Sequence, residues 1–312
     1  LIENPYQEIP ATGVVAFGGM DFDPLKPKTE LWQKFNLSQF YIPEIMLTIY
    51  HSQCYLTVNV LLHQNDVVEE VVSELQKKQV KFLSGKTLKP QNIIIEKSEE
   101  IETERWMKTV RLAMEEMRLK KAEKIVLARE LQLYFKDRVT ITPVLEKLLE
   151  TQKDSYVFAY ESEGDCFIGA TPERLVKVQK NELLSTCLAG TAPRGKTKAE
   201  DEQIGRELLQ DKKNREEHEF VVKMIKEALL KTCTDVEMPE EPVLRPLKNL
   251  QHLYTPVTGT LKAEYSIFDV VKNLHPTPAL GGTPTDVSLA FIREHEALDR
   301  GWYGAPIGWV DS

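Results

Sequence analysis

The stretch YVFAYESEGDCFIGATPERLVKVQKNELLSTCLAG (residues 156–190) decides the fold. It contains four short runs, YVFAYE, CFIGA, RLVKVQ and LLSTCLAG, rich in the β-branched and aromatic residues that suit a pleated surface. The links between them, at 162–165, 171–173 and 180–182, are only a few residues long. Parallel neighbours need a crossover of a dozen residues or more, so links this short predict antiparallel hairpins. Working outward, strands are expected at 13–22, at 45–62 with a hairpin break at His51, Ser52 and Gln53, and at 123–135. Apolar residues at helical spacing predict helices over 66–80, capped by Asp66, and over 99–120, with Trp106, Val110, Ala113, Met114 and Met117 as the stripe. Thr142 and Pro143 open a third helix, and further helices are expected at about 199–231, 266–274 and 285–297. Strands in runs and helices in runs indicate an α+β fold.

The 312 residues are 42% apolar with a net charge of −8, a globular composition that argues against a nucleic-acid partner. No apolar run approaches the roughly 20 residues needed to span a bilayer, so no membrane partner is expected. Residues 1–20 lack a basic start followed by an apolar run, and Cys54, Cys166, Cys187 and Cys233 are scattered. They read as reduced thiols of a cytoplasmic protein. The chain opens on Leu1 and stops at IGWVDS, straight after a strand-like run, so it reads as an internal piece of a longer protein.

GTAPRGKT (190–197) is a literal match to the phosphate-binding G-x-x-x-x-G-K-T pattern. Three features oppose a nucleotide site. The preceding strands are expected to be antiparallel, Pro193 has no N–H to offer a phosphate, and no apolar strand ending in a lone Asp follows to hold magnesium. Backbone N–H groups of Gly190 and Thr191, beside Arg194 and Lys196, would instead suit a carboxylate; otherwise the glycines only permit the turn.

Few residues could carry chemistry. Lys124 would share a strand face with Val126 and Ala128, either as a snorkelling edge residue or as a buried amine able to serve as a base. Glu173 follows Thr171 and Pro172, either at a helix start or at a hairpin tip where a carboxyl can project into a cleft. Glu217 continues a helical stripe through Val221, Met224 and Ala228, where a carboxylate calls for a cationic partner unless it lies at the margin. His252 follows an apolar alternation, the setting of a hydrogen-bonded core histidine as much as of a catalyst. EHE occurs at 217–219 and 294–296, without the spacing of a zinc site.

Seven motifs in order, KIVLAR, GATPERL, LAGTAPRG, KNREEHEFVV, HLYTPVTGTL, LHPTPALGGTP and DRGWYGAPIGW, resemble the chorismate-utilising enzymes. The match runs from about residue 100 to the end and more loosely to the start. Lysine at 124, where ammonia-using members resemble each other in having glutamine, and LHPTPALGG at 274–282 point to the isochorismate synthases. The resemblance implies large antiparallel sheets packed together with helices outside, in a single domain over 1–312. Residues 1–98 would be its strand-rich N-terminal portion and 99–312 the catalytic portion. It implies chorismate as substrate and Mg²⁺ as cofactor, with no nucleotide. Water would add at C2 and the C4 hydroxyl would leave, with Lys124 as general base and Glu173 as general acid. Glu217 would be a magnesium ligand, and Gly190, Thr191, His252 and Leu280 would contact the substrate. The product would feed menaquinone or catechol-siderophore synthesis. A salicylate synthase shares the lysine and is the alternative enzyme; a non-catalytic chorismate-binding fragment is the other. Members of the family continue past the GW of the last motif with further strands, an arginine for a substrate carboxylate and a second magnesium glutamate. The chain is therefore read as truncated at both ends.

Overall fold

The computed structural model describes residue 6 and residues 8–85 and 91–311. The first elements are β1 (Val15–Met20), β2 (Ser38–Tyr41), β3 (Ile45–Tyr50), β4 (Gln53–Val58) and α1 (Val68–Leu83). There follow β5 (Ile95–Glu100), α2 (Thr103–Arg118), β6 (Lys124–Ile125), β7 (Leu131–Phe135) and α3 (Ile141–Thr151). The 156–190 stretch builds β8 (Tyr156–Ser162), β9 (Asp165–Thr171), β10 (Lys177–Gln179) and most of β11 (Glu182–Pro193). Next come α4 (Lys198–Gln210), α5 (Lys212–Leu230), β12 (Cys233–Glu237), β13 (Val243–Pro246) and β14 (Leu250–Leu261). The last are α6 (Ile267–Leu274), β15 (Gly282–Thr283), α7 (Thr285–His295) and β16 (Ile307–Asp311).

The strand pairings among the described residues are all antiparallel. The largest sheet runs β10-β11-β14-β12, with β13 also on β14; β16-β1-β2 is a second sheet. Four further pairs are β3/β4, β5/β7, β8/β9 and β6/β15. The β3/β4 turn falls at His51 and Ser52, both with positive φ, the backbone that a two-residue hairpin loop needs.

Two of the three tight links in 156–190 are hairpins, β8/β9 and β10/β11, but the middle one is not. After β9 the chain leaves one sheet for another. Residues 172–176 are irregular backbone tied to β11, where Ser185 Oγ donates to the Leu175 carbonyl at 2.7 Å and Thr186 Oγ1 to the Arg174 carbonyl at 3.1 Å. Glu173 therefore sits at neither a hairpin tip nor a helix start.

The core lies between the long β11/β14 ribbon and α5. Leu183, Cys187 and Ala189 of β11, with Leu253 and Val257 of β14, are buried on one face. α5 meets them with Val221, Val222, Ile225, Ala228 and Leu229, the spacing of one helical face. A second, aromatic cluster joins Trp32, Phe35, Tyr160 and Trp302.

Four expected elements differ. The helix expected at 199–231 is two, because Asp211 adopts extended backbone (φ −67, ψ 113) and its side chain accepts the Asn214 N–H, capping α5. The strand expected at 123–135 stops after Ile125 and resumes at Leu131, since the backbone between them bonds to side chains and a loop instead of a ladder. Lys124 thus does not share a continuous strand face with Val126 and Ala128. The helix expected from residue 99 starts at Thr103, with β5 before it, and Asp66 bonds the His63 N–H while Val67 takes the cap position of α1.

Candidate active site

Lys124 and Glu217 meet: Nζ lies 2.5 Å from Oε1, with the two side chains 30% and 40% exposed. β6 presents the lysine and the first half of α5 presents the glutamate. The cationic partner that the stripe of Glu217 demanded is thus the amine itself.

Glu173 lies within electrostatic reach of the same amine. Burial pushes its carboxyl up to about 7, and the charge of Lys124 only partly offsets this. At neutral pH a large share of this carboxyl is protonated, as a proton donor requires. Cys187 lies behind the site: burial raises its thiol, with Glu173, Lys124 and Glu217 all acting on it electrostatically.

On the neighbouring ribbon, β11 bulges at Gly190, whose φ of +78 suits glycine; an added Cβ would lie 3.1 Å from Leu253 and 3.3 Å from Asn214. The bulge sets Thr191 opposite His252, whose Nδ1 is 2.9 Å from Thr191 Oγ1. Burial lowers the pKa of His252, keeping the ring neutral at pH 7, while the Gly190 backbone counteracts this. The Thr191 N–H donates to Asn214 Oδ1 at 3.3 Å, joining the bulge to α5 one turn before Glu217. Several further donors of GTAPRGKT are taken by the chain's own acids. Arg194 forks onto Asp201 at 2.7 and 2.5 Å, and the Gly195 and Lys196 N–H groups donate to Asp201 and Glu200 at 2.8 and 2.7 Å. Arg194 therefore does not stand beside Gly190 as an anion ligand; that expectation is corrected.

Leu280 lies in the loop before β15, which is stitched to the Lys124 segment. Gly282 pairs with Ile125 and Thr283 with Lys124, and the Val126 N–H donates to the Gly281 carbonyl at 3.0 Å. At Gly282, with φ +128, a Cβ would come 2.1 Å from the Lys124 carbonyl oxygen, so only glycine permits this approach.

Sequence reasoning missed three residues that hold the site. His218 is buried on α5, with Nδ1 3.0 Å from the Ala189 carbonyl and Nε2 2.8 Å from Thr255 Oγ1, docking the Glu217 turn onto both long strands. Glu296 and Arg300 form a buried ion pair at 2.6 Å. Each lies in a motif already singled out, but nothing in the spacing of either motif shows what it touches. One hollow of the molecule lies beside this pair, lined by Trp106, Thr109, Ala128 and Glu296; neither Lys124 nor Glu217 lines it.

Among the described residues no group of three or more His, Cys, Asp or Glu side chains converges as a metal cage, and no helix is long and apolar enough to cross a membrane.

Comparison with known proteins gives a consistent picture. The isochorismate synthase MenF of Bacillus subtilis (strain 168) is 43% identical over 302 residues, 97% of this chain but 64% of the relative. The salicylate biosynthesis isochorismate synthase of Pseudomonas aeruginosa is 40% identical over 210 residues, 67% of this chain and 44% of the relative. The chain thus spans less than two thirds of the length of either. The crystal structure of MenF, the menaquinone-specific isochorismate synthase from Escherichia coli, superimposes with a TM-score of 0.81 at 22% identity, over 95% of this chain and 66% of that one, and so shares the fold. The family model described as chorismate binding enzyme matches residues 1–312, and on that full-length match the chain belongs to the chorismate binding enzyme family.

Proposed function

We propose that this chain carries the active site of an isochorismate synthase, adding water at C2 of chorismate and releasing the C4 hydroxyl as the double bonds shift. The reading is supported by the meeting of Lys124 with Glu217 at 2.5 Å, and by the buried carboxyl of Glu173, pushed up to about 7 and acted on electrostatically by the same amine. An acid protonated near neutrality next to an amine is the pair that such an exchange of hydroxyl groups requires. Lys124 is the general base that takes the proton from the attacking water. Glu173 delivers one to the departing oxygen. Gly190 and Thr191, held by the bulge, and His252, neutral at pH 7, contact the substrate, and Leu280 packs against its ring.

Mg²⁺ is the proposed cofactor. Glu217 offers a hard oxygen donor, and magnesium is commonly held by one or two carboxylates together with the substrate. Among the described residues, Glu217 is the carboxylate that would hold the cation, together with a carboxylate of the substrate. Bound there, the ion would neutralise and orient that carboxylate.

The test is to incubate the full-length protein with chorismate and Mg²⁺ and separate the products by chromatography. Isochorismate is expected. Salicylate with pyruvate would replace the reading by a salicylate synthase, and binding of chorismate without turnover would reduce the chain to a binding protein.

A further inference from the structure

Glu296 and Arg300 are 2% and 5% exposed and take no part in the chemistry above. Their hydrogen bonds join three segments. Arg300 Nε and Nη2 donate to the Glu296 carboxylate at 2.6 and 2.8 Å. Nη1 donates to the Leu280 carbonyl and Nη2 to the Val126 carbonyl, both at 2.8 Å. Glu296 Oε2 accepts the Ala128 N–H at 2.7 Å. The guanidinium lies over the Phe22 ring, 4.3 Å from its centroid, and the Glu296 carbonyl accepts from Lys26 Nζ at 2.7 Å.

A buried ion pair is weak evidence of a stabilising role, because desolvating both charges offsets most of their attraction. What this pair does that an apolar pair could not is bond, with fixed geometry, to the backbone on either side of the site. Val126 and Ala128 follow Lys124 directly, in the segment where the strand ladder has lapsed. Leu280 belongs to the opposite loop. A planar five-donor fork can meet a carboxylate and two carbonyls at once; an ammonium cannot match that geometry.

We infer that the buried Glu296/Arg300 pair positions the catalytic lysine, setting the placement of Lys124 against the Leu280 loop. Both are positioning residues that act through the backbone they hold. The inference rests on the role proposed for Lys124.

The test compares the full-length protein with its Arg300→Lys and Glu296→Gln variants, each checked for folding by circular dichroism. Displacing a reacting group by about 1 Å costs on the order of 100-fold in rate. Both variants are therefore expected to lose roughly 30- to 100-fold in kcat, with KM for chorismate within about twofold. In a Lys124→Ala background the Arg300→Lys change should cost nothing further, because the residue it acts through is gone. Wild-type kcat in both variants, a raised KM with kcat intact, or an undiminished loss in the Lys124→Ala background would overturn the inference. Amide exchange at Ala128 gives a readout independent of turnover. It should speed up about tenfold or more in Arg300→Lys, and unchanged exchange counts against the clamp. If the wild-type protein makes no isochorismate, the proposed function fails, while the exchange measurement still decides whether the pair holds this segment.

Discussion

Glu173 concentrates the chemistry at the residue scale. Its pKa is raised by burial to about 7, so between the ordinary carboxylate value and about 7 the folded state binds more protons than the unfolded. Stability contributed at low pH is therefore lost as pH rises through that window. Glu173→Gln should flatten this slope and stabilise the protein above pH 7 by on the order of 1–3 kcal/mol, read from urea unfolding at pH 5 and pH 8. The same variant, and Lys124→Ala, should lose turnover while calorimetry still shows chorismate binding; wild-type rates in either would remove that residue from the mechanism. Glu217→Ala should weaken Mg²⁺ binding, and an unchanged metal titration would exclude it as a ligand.

At the scale of elements, two short features aim the site. The β6/β15 pairing depends on Gly282, because no side chain fits against the Lys124 carbonyl. Gly282→Ala forces strain of roughly 1–3 kcal/mol or separates the strands, and is expected to lower both the midpoint of thermal unfolding and kcat. The break between α4 and α5 depends on Asp211, which caps the helix that carries Glu217 and His218. Asp211→Ala should cost about 1 kcal/mol in urea unfolding, with no change in the chorismate product. A loss well above 2 kcal/mol would mean that Asp211 does more than cap.

Over the whole molecule, α5 and the β11/β14 ribbon form the main core, and Leu229 at its centre is fully buried. Leu229→Ala should cost about 3–4 kcal/mol by equilibrium unfolding. Residues far apart in sequence share one sheet, since β1 pairs with β16, and Trp32 packs in the same aromatic cluster as Trp302. Tryptophan fluorescence, to which Trp32 and Trp302 of that cluster contribute, and far-ultraviolet circular dichroism, reporting the helices, should therefore give coincident transitions. Separate midpoints would mean that the two clusters unfold independently.

Local chemistry alone determined much of this protein. Alternation and short links made the strands and the β3/β4, β8/β9 and β10/β11 hairpins legible, because a few residues are too short for a parallel crossover. Ordered motifs pointed to Lys124, Glu173 and Glu217; in the fold Lys124 meets Glu217 and acts electrostatically on Glu173. Only the tertiary structure decided that the link at Glu173 crosses between sheets, that the Gly195 and Lys196 N–H groups of the phosphate-like loop are taken by Asp201 and Glu200, and that Glu296 and Arg300 join segments more than 150 residues apart. The physical reason is common to all three. Periodicity and turn chemistry reveal what a residue does to its neighbours in the chain, whereas desolvation and hydrogen-bond partnership depend on what the rest of the molecule packs against it.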